Sequence, residues 1–159
     1  MHGANRTGRA FTGDHAGILL YRTLYEHGLC TKSESIECDD GLALLGCRIT
    51  NAVKCLPPEN KPTGAEVREC NRFLHAEIAA LPAGAAILAL GGIAHGATLK
   101  AVGVKPSAYP FGHAREFRLP GDYSLIDSYH CSRYNTQTRR LTPAMFSAAV
   151  SRARVLAGL

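Results

Sequence analysis

No part of this 159-residue sequence is suited to crossing a bilayer as a helix. Its longest apolar run, around Ala85 to Leu90, has the length of a strand, whereas a span needs about twenty apolar residues. No basic segment followed by an apolar one opens the chain, so the expectation is a cytoplasmic protein that is not exported and has no membrane partner. The chain has no CxxC pair although it carries six cysteines. That gap argues against zinc, and without an export signal the thiols are expected to be reduced or metal-bound rather than paired as disulfides. Repeats, linkers and low-complexity segments are also missing, which points to one domain over residues 1–159. Acidic residues are in deficit, 13 against 18 Lys and Arg, and the resulting net charge of +5 weakly favours a polyanionic partner.

A hydrophobic share of 46% with 19% charged residues is enough to build a globular core. HAGILLYRTLYEHGL (His15 to Leu29) has apolar residues at helical spacing, with a stop at Gly28. LALLGCRIT (Leu42 to Thr50) is a short apolar run that reads as a strand. Thr63 and Glu66 form a capping box opening a helix to about Leu81, in which Val67, Cys70, Leu74, Ile78 and Leu81 share one face. AAILALG (Ala85 to Gly91) reads as a buried strand, followed by a helix from about Ile93 to Val102. AREFRL and YSLIDSYH alternate as strands, and Thr142-Pro143 opens a last helix to about Leu156. Strands alternating with helices indicate an α/β domain with a mostly parallel sheet.

Ligands of such sheets bind beyond the carboxyl ends of the strands. Asn51 follows the segment Leu42 to Thr50, and His130 closes the one beginning at Tyr123. Taken singly, Asn51 could be a turn residue and His130 a satisfied strand-end histidine; their shared sheet position favours a site. The stretch CSRYNTQTRRLT after His130 holds Arg133, Arg139 and Arg140 among hydroxyl and amide side chains and no carboxylate. Such a loop can donate to phosphates, or it can be an ordinary polar loop. Cys55 and Cys70 bracket a loop containing Pro57, Pro58 and Pro62; they can be buried free thiols or metal ligands. His95 and His113 are read as structural.

Three stretches in register carry a resemblance to a known family: HGANRTGRAFTGD near the start, ITNAVKCLPP in the middle and SYHCSRYNTQTRRLTPAM near the end. Together they resemble the uracil-DNA glycosylase superfamily, most closely its type B, or family 5, group, whose members remove uracil and related deaminated bases from DNA. The resemblance covers essentially the whole chain. It implies a three-layer αβα sandwich around a mostly parallel four-stranded sheet, and a [4Fe-4S] cluster for which Cys55 and Cys70 match the second pair of ligands. Relatives carry the first pair in an N-terminal CxxC segment ahead of an interior first strand. The resemblance therefore implies that this segment and strand are missing here. Only two of the four cluster ligands are then expected in these 159 residues, with little activity from them alone.

The remaining roles are also implied by the resemblance. Phe11 of RAFTG matches the phenylalanine that stacks on the base, and an aromatic between Gly8 and Gly13 in a polar loop is poorly placed for a core. Asn51 matches the residue that bonds the base edge or places water, and His130 matches the donor to the developing charge on uracil. Asp14 is a candidate for water activation or cation stabilisation; the alternative is an acid favoured by the helix dipole ahead of His15. Residues 132–142, with Arg133, Asn135, Thr138, Arg139 and Arg140, are expected to contact DNA and replace the flipped base. Relatives usually have Gly where Arg139 stands and often another residue at Cys131. The expected partner is DNA containing uracil or another deaminated base, bound by a monomer. The alternative is a DNA-binding remnant of the family without catalysis; a relative that traps DNA covalently is disfavoured because its basic insertion is not evident.

Overall fold

A computed structural model describes residues 7–54 and 63–159. In chain order these form α1 (His15–Glu26), α2 (Gly64–Ala79), β1 (Ala86–Leu90), α3 (Gly92–Ala101), a 3-10 turn (Pro106–Ala108), β2 (Glu116–Leu119), β3 (Tyr123–Ser128), α4 (Arg133–Gln137) and α5 (Pro143–Leu156). The expected helices and the three strands after residue 80 are all present, within a residue or two of the boundaries read from capping and periodicity. No helix among the described residues is long and apolar enough to cross a membrane.

The class is α/β, with a small mixed sheet flanked by helices. The sheet differs from expectation. Among the described residues it has three strands in the order β1-β3-β2, and β3 pairs in parallel with β1 but antiparallel with β2. Leu42 to Thr50 is not one of its strands. Gly41, just before that run, and Gly46 within it adopt φ of 76° and 64°, conformations that turn the chain and that glycine alone enters freely. Its backbone bonds instead to the segment after α1: Thr31 N–H to Ala43 O at 3.0 Å, Leu45 N–H to Leu29 O at 2.8 Å, with one isolated bridge at Cys30 and Leu44. Leu45 is 46% exposed, which a buried central strand would not allow. Asn51 therefore follows an irregular segment, whereas His130 lies two residues beyond β3 as read.

The chain divides into two compact units: residues 1–50 with 129–152 and 159, and residues 51–128 with 153–158. The second holds the sheet. Its core joins Leu74 and Ile78 of α2 to Ala97 and Ala101 of α3, and Ala89, Leu99, Leu119 and Leu125 form a second cluster. β3 is buried along most of its length because it is the central strand. Its Asp127 is fully buried and bonds His95 Nδ1 at 2.8 Å, while His95 Nε2 donates to Tyr109 O at 2.8 Å. Burial pushes the Asp127 carboxyl up, against the opposing pull of His95. His95 is structural, as read: it clamps the segment around Tyr109 against the sheet.

The first unit is built on α1. Leu20, Tyr21 and Leu24 are buried, as are Leu141, Phe146 and Val150. His27 Nε2 meets Ser147 Oγ at 2.9 Å, tying the end of α1 to α5.

Candidate active site

The polar loop ahead of α1 is held from several sides. The hydroxyls of Thr7 and Thr12 bond each other, and Thr12 Oγ1 also bonds Arg9 O at 2.7 Å. Buried Tyr21 donates its hydroxyl to Ala10 O at 2.7 Å. The Arg9 guanidinium donates to Cys38 O at 2.7 Å and Leu42 O at 3.2 Å and faces Asp40 at 3.5 Å. These bonds hold Phe11 at φ 59°, a conformation unusual for a bulky residue. Gly17 of α1 lies directly beneath: a Cβ there would fall 1.8 Å from the Phe11 carbonyl oxygen. The loop is thus seated on the helix through a position that accepts only glycine.

Phe11 presents its ring to His130. Their centroids are 5.8 Å apart with planes at 27°, a stacked pair between residues far apart in the chain. Burial pushes the His130 imidazole below its ordinary pKa, and the nearby Asp14 carboxylate partly offsets the shift. Asp14 is exposed and caps α1, its Oδ1 accepting Gly17 N–H at 3.2 Å. It is therefore the helix-terminal acid of the alternative reading, and it also stands within electrostatic reach of His130. Three residues singled out from sequence, Phe11, Asp14 and His130, come together in this unit. Cys131, directly after His130, is fully buried and its thiol is pushed up to about 12 by burial, which makes it inert.

The stretch expected to be a polar loop contains the one-and-a-half-turn helix α4. Ser132 caps it by accepting Asn135 N–H at 3.4 Å. Arg133 and Arg139 are exposed, and Arg139 holds φ 57°. Arg140 lies over the Tyr129 ring at 4.6 Å. The Thr138 hydroxyl donates to Tyr134 O at 2.8 Å. Asn135 turns inward and donates its side-chain amide to His130 O at 2.8 Å. His15 Nε2 meets Thr136 Oγ1 at 3.1 Å. Sequence reasoning missed these last two contacts and the role of Gly17. Asn135 at the third position of a capped turn was the available signal, but its partner is a backbone carbonyl that no side-chain pattern announces.

In the second unit, Asn51 is exposed. Lys54 pins the start of this unit to α2: its ammonium bonds Glu77 at 2.9 Å and its backbone N–H points at Cys70 Sγ, 3.4 Å away. Cys70 is buried on the face of α2 shared by Leu74 and Ile78. Cys55, with its neighbouring prolines, lies outside the described residues. Among the described residues no group of three metal-ligating side chains comes together. The fit to an iron–sulfur cluster therefore rests on one buried thiol, which has an N–H donor from the residue preceding Cys55. Hydrogen bonds of this kind to sulfur are ones that cluster thiolates use.

A family model described as the uracil DNA glycosylase superfamily matches residues 1–154. The type-5 uracil-DNA glycosylase of Thermus thermophilus is 50% identical over 158 residues, covering 99% of this chain and 72% of that protein. Its namesake in Mycobacterium tuberculosis is 42% identical over 160 residues, and the chain spans 60% of that protein's length. The type-5 uracil-DNA glycosylase of Pyrobaculum aerophilum is 40% identical over 157 residues, with 68% of its length spanned. The chain belongs to the uracil-DNA glycosylase superfamily.

Proposed function

We propose that this protein is a DNA-repair glycosylase that excises uracil and related deaminated bases from DNA by hydrolysing the N-glycosidic bond. The observation that carries the reading is the stacked Phe11–His130 pair with Asp14 nearby, found in a chain 50% identical to a type-5 uracil-DNA glycosylase. A base inside a duplex is inaccessible, so the nucleotide must be flipped out and its edge read in a pocket. Phe11 is assigned the face of the flipped base. Asn51 is assigned its edge, or the placement of water, on the motif match. Water bonds to C1′ as the C1′–N1 bond breaks. The bonding pair leaves with uracil, and the proton released by water balances the charge on the departing base. His130, kept neutral by burial, is assigned the donor to the uracil oxygen on which that charge develops. Asp14 is assigned to the water or to the cationic sugar; capping engages one of its oxygens.

Arg133, Arg139 and Arg140, with Thr138, are assigned to the DNA backbone; their exposure supports this. Cys55 and Cys70 are assigned as two of the four thiolates of a [4Fe-4S] cluster, on the motif match and on the N–H donor at the Cys70 sulfur. When bound, such a cluster supplies a rigid cross-link for the loop between these residues. We further propose a cytoplasmic monomer in which residues 1–159 serve as one glycosylase domain. Single-turnover assays on uracil-containing oligonucleotides test the reading. Slow release of free uracil is expected from these 159 residues; DNA binding without release would establish a binding protein instead, and a DNA adduct resistant to denaturation a covalent trap.

A further inference from the structure

The inward face of α4 joins residues on both sides of the candidate site. Asn135 donates its side-chain amide to His130 O at 2.8 Å, and its own carbonyl accepts Leu141 N–H at 3.0 Å. Leu141 is fully buried, so this end of the segment is anchored in the core. The next residue, Thr136, donates its single hydroxyl proton within its own helix, to Arg133 O at 3.0 Å or Ser132 O at 3.2 Å. It must therefore accept from His15, which fixes the proton of that ring on Nε2. His15 directly follows Asp14, so α4 holds the backbone at His130 with one side chain and the start of α1 with the next. Neither Asn135 nor Thr136 is exposed, whereas Arg133, Tyr134 and Gln137 are. The helix thus turns its arginine outward and its two connecting side chains inward.

We infer that Asn135 is a positioning residue that sets the placement of the His130 ring, and not a contact to DNA. The inference rests on the proposed role of His130 and adds a physical link to it. The peptide carbonyl of His130 would be free to rotate at the exit of β3, and one amide donor holds it at the angle that turns the imidazole toward Phe11. Because Asn135 is also bonded to the backbone of Leu141, whatever moves residues 132–141 on DNA is transmitted to His130. Insertion of this segment into DNA and presentation of the catalytic donor are then one event.

The test compares Asn135→Ala and the isosteric Asn135→Asp, which replaces the donor by an acceptor facing the carbonyl, with wild type and His130→Ala. At saturating enzyme, single-turnover uracil release should slow about tenfold or more in both variants, with affinity for DNA carrying an abasic product unchanged. In the His130→Ala background the same substitutions should have no further effect, since the residue being positioned is gone. Weakened DNA affinity with an unchanged rate would make Asn135 a DNA contact, and equal slowing in both backgrounds would make its role merely structural; either overturns the inference. A readout independent of activity is the imidazole carbon–proton NMR spectrum of the same 159-residue chain. Asn135→Ala should move the His130 resonance while those of His27 and His95 stay in place. An unmoved His130 resonance overturns the inference, whereas wild-type protein that releases no uracil overturns the functional reading and leaves the NMR result to decide this one.

Discussion

His130 is marked by its stack on Phe11, and burial disfavours its own charge. A neutral imidazole can donate to an oxygen that becomes negative without first repelling the positive sugar. Removing such a preorganised donor typically costs a few kcal/mol, so His130→Ala is expected to slow single-turnover excision about tenfold or more. The same is expected of Asn51→Ala, whose role rests on the motif match; a wild-type rate in either folded variant would remove that residue from the mechanism. The depressed imidazole also affects folding. Between the folded pKa and the higher unfolded one, the unfolded chain binds more protons. The stability contributed by neutral His130 is therefore complete above the unfolded value, about 6.5, and is lost as pH falls through it toward the folded value. His130→Gln should shrink the drop in Tm between about pH 7.5 and about pH 5.5. An identical drop in the variant would show that His130 does not carry this linkage.

At the scale of elements, the loop before α1 depends on what lies beneath it. Gly17 leaves room for the Phe11 carbonyl, and a Cβ at 1.8 Å would meet backbone on a loop tied by Thr7, Thr12 and Tyr21. The loop has little freedom to retreat. Gly17→Ala should therefore lower stability by about 1–3 kcal/mol, the usual cost of overpacking, and displace Phe11 from His130. Denaturant unfolding and inhibition by free uracil measure the two effects; an alanine variant with unchanged stability and unchanged inhibition would show that the loop rests elsewhere. A related tension exists in the segment after β3, where Arg139 occupies φ 57° without the freedom of glycine. An arginine kept at a strained position is explained by its charge if it meets DNA.

For the whole molecule, a net charge of +5 favours a polyanionic partner, and Arg133, Arg139 and Arg140 are the residues proposed to meet its phosphates. Affinity should fall steeply with salt as bound counterions are exchanged for protein. Replacing Arg140 by glutamine should flatten the log–log salt slope by about one unit if it makes one phosphate contact. An unchanged slope would leave Arg140 as a partner of the Tyr129 ring alone. The thiol inventory makes a further whole-chain prediction. With Cys55 and Cys70 as the two assigned ligands, the 159-residue chain purified without oxygen should hold well under stoichiometric iron and sulfide. A stoichiometric cluster would show that further cysteines of this chain are ligands.

The helices and the strands after residue 80 were legible because their signals are local: a capping box at Thr63, a Pro at the first turn of α5, an unbroken apolar run at Ala86–Leu90. The pairing of β2 was not, since an alternating strand looks the same in either direction and partner choice depends on where its connection returns. Leu42 to Thr50 was misread for a comparable reason. Its apolar content suits a strand, but two glycines and the nearby Leu29–Thr31 backbone offered another way to satisfy its hydrogen bonds. Phe11, Asp14 and His130 could be named from motifs because the roles proposed for them belong to side chains of recognisable type. Gly17 was not singled out, and Asn135 was read only as a DNA contact, because both meet the backbone of other residues. By itself the sequence determined the family, the helices and the candidate chemical groups, all of which depend on residue type and short spacing. Tertiary structure alone decided that Phe11 stacks on His130, because that pair requires segments distant in sequence to meet within contact distance, and the turn after β3 decided that Asn135 reaches back five residues to the His130 carbonyl.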